Sequence, residues 1–387
     1  MSIEDRDILV AETGGDLLFD WLRATAIPFW SSTAWDAGRG GFVEQTDAEG
    51  RPDFEAPRRL RVQARQIHVM AEAEALGLAE TRPAAFRGLD YLLAHGRAAG
   101  GRPGYPHMLH GDGSVCDARR DCYDHAFVLI ALASVFKISR DAQIAGLIDE
   151  VVQFLDSALV STGGGYLEGE PHAGPRRQNP HMHLFEAFIG LYEATGNPDY
   201  ATRAAALLDF ITGRFLHGRD RLLLEVLDDD LNMLPGPRGL SLEPGHMAEW
   251  VWLLGRYGRL TGADVQPLQR TLMAGALRFA LPSGFLPDEV SLDGRILRAT
   301  RRTWPQTELL KAELAMLEAG AGAQASVRAA EKRLMGYVRA PYPAGWIDRF
   351  DAAGAPVAGP TPASTLYHLF WAITERRRVL GGVVRQG

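Results

Sequence analysis

The stretch "ATGNPD", residues 194–199, separates two runs in which apolar residues recur three and four apart. Gly196 can take the left-handed conformation that ends a helix, and Pro198 suits the first turn of the next. The hexapeptide therefore reads as a stop and a restart between two tightly joined helices. Similar punctuation recurs: "LGLAETRP" near 78, "ISRDA" near 139, "LTGAD" near 262 and "AGAGA" near 321. The intervals are about 61, 57, 66 and 59 residues. A regular period of that kind marks a repeated supersecondary unit.

Each unit fits two helices and a tight turn, followed by a longer loop. Five such hairpins account for ten helices. One apolar helix remains at the start (about 14–29) and one at the end (about 362–380), and together they complete a sixth pair. The expected fold is all-α: an (α/α)6 barrel of six inner and six outer helices. It forms a single domain over 1–387, with the barrel at about 14–382. An open superhelical solenoid is the alternative, but it would want polar terminal helices. Strands are expected only as short pieces, in "GFVEQTD" and "RLLLEVLDDDLN".

The 387 residues are 46% hydrophobic and 23% charged, a globular balance with material for a large core. The net charge of −7 gives no basic footprint for nucleic acid. Cys116 and Cys122 are too few for a disulfide framework or zinc ribbon and are read as free thiols. "MSIEDRDILV" is not a signal peptide, and no uninterrupted apolar run approaches the ~18 residues of a membrane span. The expectation is a cytoplasmic protein, monomer or homodimer, without a membrane or nucleic-acid partner.

The helices that open after the long loops carry the unusual residues. They hold Arg65 and His68; Tyr123, Asp124 and His125; His183 and Glu186; His246 and Glu249; Trp304, Gln306 and Glu308; and His368. Their partner helices hold mostly Ala, Leu and surface charge. If alternate helices line a ring, their first turns converge on one concave site, the usual setting of a ligand pocket. His183, His246 and His368 share a phase in the repeat, whereas His181 points elsewhere. His95, His107, His110, His172 and His217 lie in loops or on outer helices and read as surface or hydrogen-bonded core residues.

"HLFE" (183–186) and "HMAE" (246–249) each put a carboxylate three residues after a histidine, on one helical face. Such a carboxylate can fix the tautomer and raise the basicity of a proton-transfer histidine. Histidines and carboxylates also bind metals, but no His-Glu-x-x-His is present. No phosphate loop, dinucleotide fingerprint or Gly-x-Ser-x-Gly elbow appears either. A glycosidase rim would be dominated by Asp and Glu; here histidine dominates.

"RQNPHMHLFEA", "EPGHMAEW", "RRTWPQTE" and "PASTLYHLFWA", with "QARQIHVM" upstream, resemble the N-acylglucosamine 2-epimerase superfamily. That group includes 2-epimerases, D-mannose isomerases and sulfoquinovose isomerases. The similarity runs from about 15 to 380 and implies an (α/α)6 barrel and cofactor-free proton transfer on an opened sugar. It implies His246 and His368 as the acid/base pair, His183 as a further active-site histidine and Glu249 as the carboxylate partner of the base. Arg65 would face the reacting oxygens, and Asn179 would bind substrate. Tyr123 and Trp304 are looser matches among the substrate-binding residues, to which Glu186 is added. "RRTWPQTELLKAELA" and "PASTLYHLFWA" look most like the branch that interconverts D-mannose and D-fructose; the 2-epimerases are the runner-up. Arg176 and Arg177 are candidates for a phosphate or sulfonate.

Overall fold

The computed structural model describes residues 16–383. Twelve helices appear among them. Helix α1 runs Leu17–Trp21, passes through a π turn at Leu22–Ala26 and continues as Ile27–Ser32. Five hairpins follow: α2 (Leu60–Ala75) with α3 (Arg82–Gly96), α4 (Cys122–Ser139) with α5 (Ala142–Phe154), and α6 (Gln178–Thr195) with α7 (Pro198–Arg214). Then come α8 (Pro244–Thr261) with α9 (Gln266–Arg278) and α10 (Thr303–Glu318) with α11 (Gln324–Met335); α12 (Leu366–Val383) ends the series.

The opening hexapeptide behaves as its residues require. Gly196 sits at φ 73° after α6, and Asn197 caps α7 by accepting from Asp199 N, with Pro198 in the first turn. Gly262 repeats the left-handed stop after α8, at φ 76°. Tight turns thus fall at one end of each hairpin, and the long loops collect at the other.

The even-numbered helices are the inner ones. Each packs on the next from α2 to α12, and α12 returns to α2, closing the ring; odd-numbered helices pack outside. The fold is the expected (α/α)6 barrel, not an open solenoid. Inner helix α4 is long and apolar enough to satisfy a membrane-span test by composition, which the sequence reading did not anticipate; 72% of it is buried inside the barrel. Strands of two or three residues form small antiparallel sheets in the loops. Gln45–Thr46 pairs with Thr361–Pro362, tying the first loop to the last, and Trp30 stacks on Trp346 at 5.1 Å. Both cysteines are free.

The repeat places equivalent residues at equivalent heights. The fourth residue of four inner helices, Gln63, His125, His181 and Gln306, reaches back to the backbone of the preceding loop: Phe42, Tyr105, Tyr166 and Leu286 respectively. His125 and His181 are therefore loop clamps, each anchored through Nδ1 to a carbonyl one turn earlier. His68 is a core histidine bonded to Ser134 Oγ and Trp371 Nε1.

Candidate active site

Two positions later, at the sixth residue, the inner helices present Arg65, Phe127, His183, Glu249, Glu308 and, counting from the turn Ala363–Thr365, His368. These meet at the ring axis. The Arg65 guanidinium lies 4.2 Å from the Phe127 ring, and Phe127 lies 4.6 Å from His183. The second residues, among them Tyr123, Asn179 and Trp304, stand nearer the mouth. A cavity of about 220 Å³ lies between the two tiers, lined by Arg65, Tyr123, Asn179, His183, Glu243, His246, Glu249, Arg302, Trp304, Ser364, Thr365 and His368. Of the residues that the family resemblance marked as catalytic or substrate-binding, all line it except Glu186.

His246 is the third residue of α8, so its phase differs from that of His183 and His368, contrary to the expected match. It enters the cavity from nearer the mouth. Trp304 lies between the two histidines, its ring centroid 4.9 Å from His246 and 5.8 Å from His368.

Each histidine gives Nδ1 to a carboxylate. His183 Nδ1 lies 2.9 Å from Glu186 Oε2, as the "HLFE" spacing suggested. His368 Nδ1 lies 2.8 Å from Glu308 Oε1. His246 Nδ1 lies 2.8 Å from Glu225 Oε2. Glu249 is therefore not the hydrogen-bonded partner of His246. Residues three apart share a face, but Glu225 approaches His246 from the loop before α8, while Glu249 sits one turn deeper beside Glu308 and His368. Both Glu249 oxygens are buried without a hydrogen-bond partner; burial and the nearby Glu308 hold its carboxyl well above the ordinary range.

Glu186 is likewise corrected as a substrate-binding residue. It is 1% exposed, and its oxygens are taken by His183 and the Tyr367 hydroxyl. Burial alone would raise its pKa, but these bonds outweigh it and lower the value to about 2. Arg176 is a strut rather than an anion site, donating to Ser161 Oγ, Gly164 O and Tyr166 O.

Electrostatics divides the histidines. Burial lowers His183 to about 4 and drives His368 well below its usual value, so both are neutral. With Nδ1–H donated to a carboxylate, Nε2 of each is left as an acceptor. Burial also opposes the charge on His246, but Glu225 and Glu243 overcome it and raise the value to about 9. Asn179 Nδ2 lies 3.3 Å from His246 Nε2, while Asn179 Oδ1 is buried without a partner. Rotating the amide by half a turn lets Oδ1 accept from a protonated Nε2, the arrangement that the charged form requires.

A pH dependence follows. Activity that needs cationic His246 and neutral His183 and His368 should be level between about 4 and about 9 and fall as pH rises through about 9. An initial-rate profile measures this. Folded His246 is raised above its unfolded value of 6.5, so its contribution to stability is complete below that value. It is lost as pH rises through about 9, and denaturant titrations on either side would detect the loss.

Arg65 is held at the axis by the Tyr123 hydroxyl at 2.8 Å and Ser364 O at 3.3 Å. Trp304 owes its place to Gly245, where a Cβ would meet Trp304 Cη2 at 2.7 Å and Pro305 Cβ at 3.0 Å. Gly245→Ala should cost about 1–3 kcal/mol through overpacking and raise KM by displacing the ring; thermal melts and steady-state kinetics check this.

Among the described residues, three groups of carboxylates and histidines could hold a metal by spacing alone, but each already faces a resident cation. Lys311 Nζ lies 2.7 Å from Glu308 Oε2 in the group with Glu249 and His368. Arg61 lies 3.0 Å from Asp124 in the group with His107 and Asp121, and Arg302 lies 3.1 Å from Glu243 in the group with Glu225 and His246.

Comparison with known proteins matches this geometry to a known group. The family model described as N-acylglucosamine 2-epimerase (GlcNAc 2-epimerase) matches residues 40–372. The chain belongs to the N-acylglucosamine 2-epimerase family. It is 34% identical over 376 residues to a mannose-6-phosphate isomerase of Rhizobium meliloti (strain 1021), covering 92% of this chain and 95% of that one. It is 28% identical to a D-mannose isomerase of Thermobifida fusca, covering 60% and 61% of the two chains. Among solved structures, a D-mannose isomerase superposes with a TM-score of 0.84 at 22% identity, over 96% of this chain and 99% of that chain. Family membership makes this protein a sugar isomerase or epimerase acting on a monosaccharide-type substrate.

Glu225, Glu308 and Tyr367 complete the 2-epimerase-family site without having been assigned roles from sequence. Glu225 had a faint signal as the single carboxylate in the apolar run "LLLEVL". Glu308 stands four residues after Trp304, and Tyr367 is adjacent to His368.

Proposed function

We propose that the protein is an aldose–ketose isomerase interconverting D-mannose and D-fructose by proton transfer through an enediolate. The observation that carries this reading is a pair of histidines facing one cavity, each with Nδ1 fixed by a carboxylate at 2.8 Å, in surroundings that favour the charged form of His246 and the neutral form of His368. Groups whose surroundings push their pKa values apart define an acid and a base. His368, neutral with Nε2 free, takes the C2 proton of the open-chain aldose. Cationic His246 hydrogen-bonds the carbonyl oxygen as charge develops there, and Arg65 supplies a fixed positive charge to the enediolate. His368 then returns the proton to C1 while His246 gives its own proton to O1 and recovers one from the O2 hydroxyl, so that C2 becomes the carbonyl and the ketose forms. His183, oriented by Glu186, and Asn179 hold sugar hydroxyls, and no cofactor enters the scheme.

The test is D-mannose in heavy water followed by NMR. The reading expects fructose, with deuterium at fructose C1 or at C2 of recycled aldose. N-acetylglucosamine converted to N-acetylmannosamine with no ketose would replace isomerisation with 2-epimerisation.

One observation favours a phosphorylated sugar as a second reading. A chamber of about 580 Å³ adjoins the cavity through Arg65, Tyr123 and Asn179, and is lined by Arg59, Arg61, Arg119, Arg177 and Arg238. Several of these are neutralised by their own acids: Arg59 by Glu44, Arg61 by Asp124, and Arg177 by Glu168. Arg119 reaches Asp117 only at 3.7 Å. The name of the Rhizobium meliloti relative points the same way. Comparing kcat/KM for D-mannose and its 6-phosphate decides between them.

A further inference from the structure

The two His–carboxylate pairs have the same length, 2.8 Å, and both histidines are buried, 5% exposed at His246 and 6% at His368. Geometry within the pair therefore does not explain their different charges. The difference lies behind the carboxylates. Glu225 uses its other oxygen to accept from the neutral Glu243 backbone N–H at 3.1 Å, and the Glu243 carboxylate, itself paired with Arg302 at 3.1 Å, adds negative charge beside His246 without a cation on Glu225 itself. Glu308 instead turns its other oxygen to an ammonium: Lys311 Nζ lies 2.7 Å from Oε2 in an ion contact without hydrogen-bond alignment.

Lys311 is unusual in its own right. Its side chain and that of Glu308 are wholly buried. Nζ sits 3.6 Å from the Trp252 ring centroid, a cation–π contact that helps hold a charge away from water. Lysine is almost never fully buried unless paired, and this one lies three residues below Glu308 on the same inner face, outside the cavity lining.

We propose that Lys311 is the positioning residue that divides the labour of the two histidines, by sharing Glu308 with His368 so that His368 stays the neutral base while His246 carries the proton. The assignment of base and acid rests on the isomerase reading above; the charge division itself does not. Other charged and titratable groups facing His368 are Arg65 from α2, which also disfavours its protonation, and Tyr123 from α4, bonded to Arg65. His183 and Glu186 face it from α6, and His246 and Glu249 from α8. Tyr367 on its own helix binds Glu186. Among these, Glu186 is bonded to His183 and Tyr367, and Glu249 is held towards its neutral form. Among the described residues Glu308 is thus the only carboxylate hydrogen-bonded to His368, and Lys311 is the cation that opposes the upward push of burial on that carboxyl.

The test is the histidine titration of full-length protein by nitrogen-15 NMR, with His368 assigned through His368→Gln, together with the pH profile of kcat/KM. In Lys311→Met, uncompensated Glu308 should draw a proton onto His368, moving its titration up by at least one pH unit, a tenfold change in protonation equilibrium, and carrying the acid limb of activity upward once His368 titrates above His183. Lys311→Gln keeps an N–H donor for Glu308 without the charge, so it guards against misfolding and should shift both readouts the same way. Lys311→Arg keeps the charge and should restore the wild-type titration. A structural role alone would lower the melting temperature and the active fraction while both curves stayed in place; that result overturns the proposal. If the titration moves but no sugar is isomerised, the isomerase reading fails and the electrostatic inference stands.

Discussion

Replacing His368 by asparagine should reduce kcat by about 10²–10⁴-fold, the range a positioned general base contributes, while KM changes little. His368 is the neutral histidine whose Nδ1 is fixed by Glu308 and whose Nε2 is left for the cavity. Asparagine keeps a donor for Glu308 yet has no basic nitrogen. Deuterium incorporation from heavy water should fall in parallel, because it reports removal of the C2 hydrogen even when no product accumulates. Circular dichroism should be unchanged, since the side chain faces a cavity rather than the helix-packing surface. Retention of wild-type exchange in this variant would remove His368 from the proton-transfer step and leave His183, the other neutral histidine, to take it.

The second large effect is expected at Arg65. An enediolate spreads negative charge over two oxygens, and loss of one preorganised donor to such charge costs about 10²–10³ in kcat. Arg65→Met keeps the stem that lies against Phe127 and Tyr367 and removes the guanidinium. Lysine should not restore activity. The guanidinium is aimed by two anchors, Tyr123 Oη and Ser364 O, each using a different terminal nitrogen, and an ammonium presents a point charge without that fork. The diagnostic is the ratio of kcat to KM effects: a loss carried mainly by KM would make Arg65 a ground-state sugar contact.

The ring was legible because turns obey local rules. A glycine at φ 73° followed by a capping Asn and a Pro needs no tertiary information, and five such signals at a steady interval define hairpins. The cavity's lining was legible in part for the same reason: once inner helices are known, their first turns must meet. Partners were harder to read. The "HMAE" spacing places His246 and Glu249 on one face, but a shared face does not choose between a carboxylate one turn below and Glu225 arriving from a loop 21 positions away. Lys311 shows the same boundary. Its spacing from Glu308 is readable, but its burial depends on Trp252 from another repeat lying across it.

Position along each inner helix also sorts the work. Fourth residues fasten loops, sixth residues meet at the axis, and the deeper Glu186 and Lys311, each three residues further on, serve the histidine pairs above them. Because every sixth residue belongs to a different repeat, exchanging one alters a single wall of the cavity and leaves the other five, and the packing that closes the ring, in place. A fold arranged this way can change its chemistry one wall at a time. Divergence among its relatives, or redesign of this chain, would then be concentrated in a few sites that recur at a fixed offset from each helix start, while the turns that set the period stay constant.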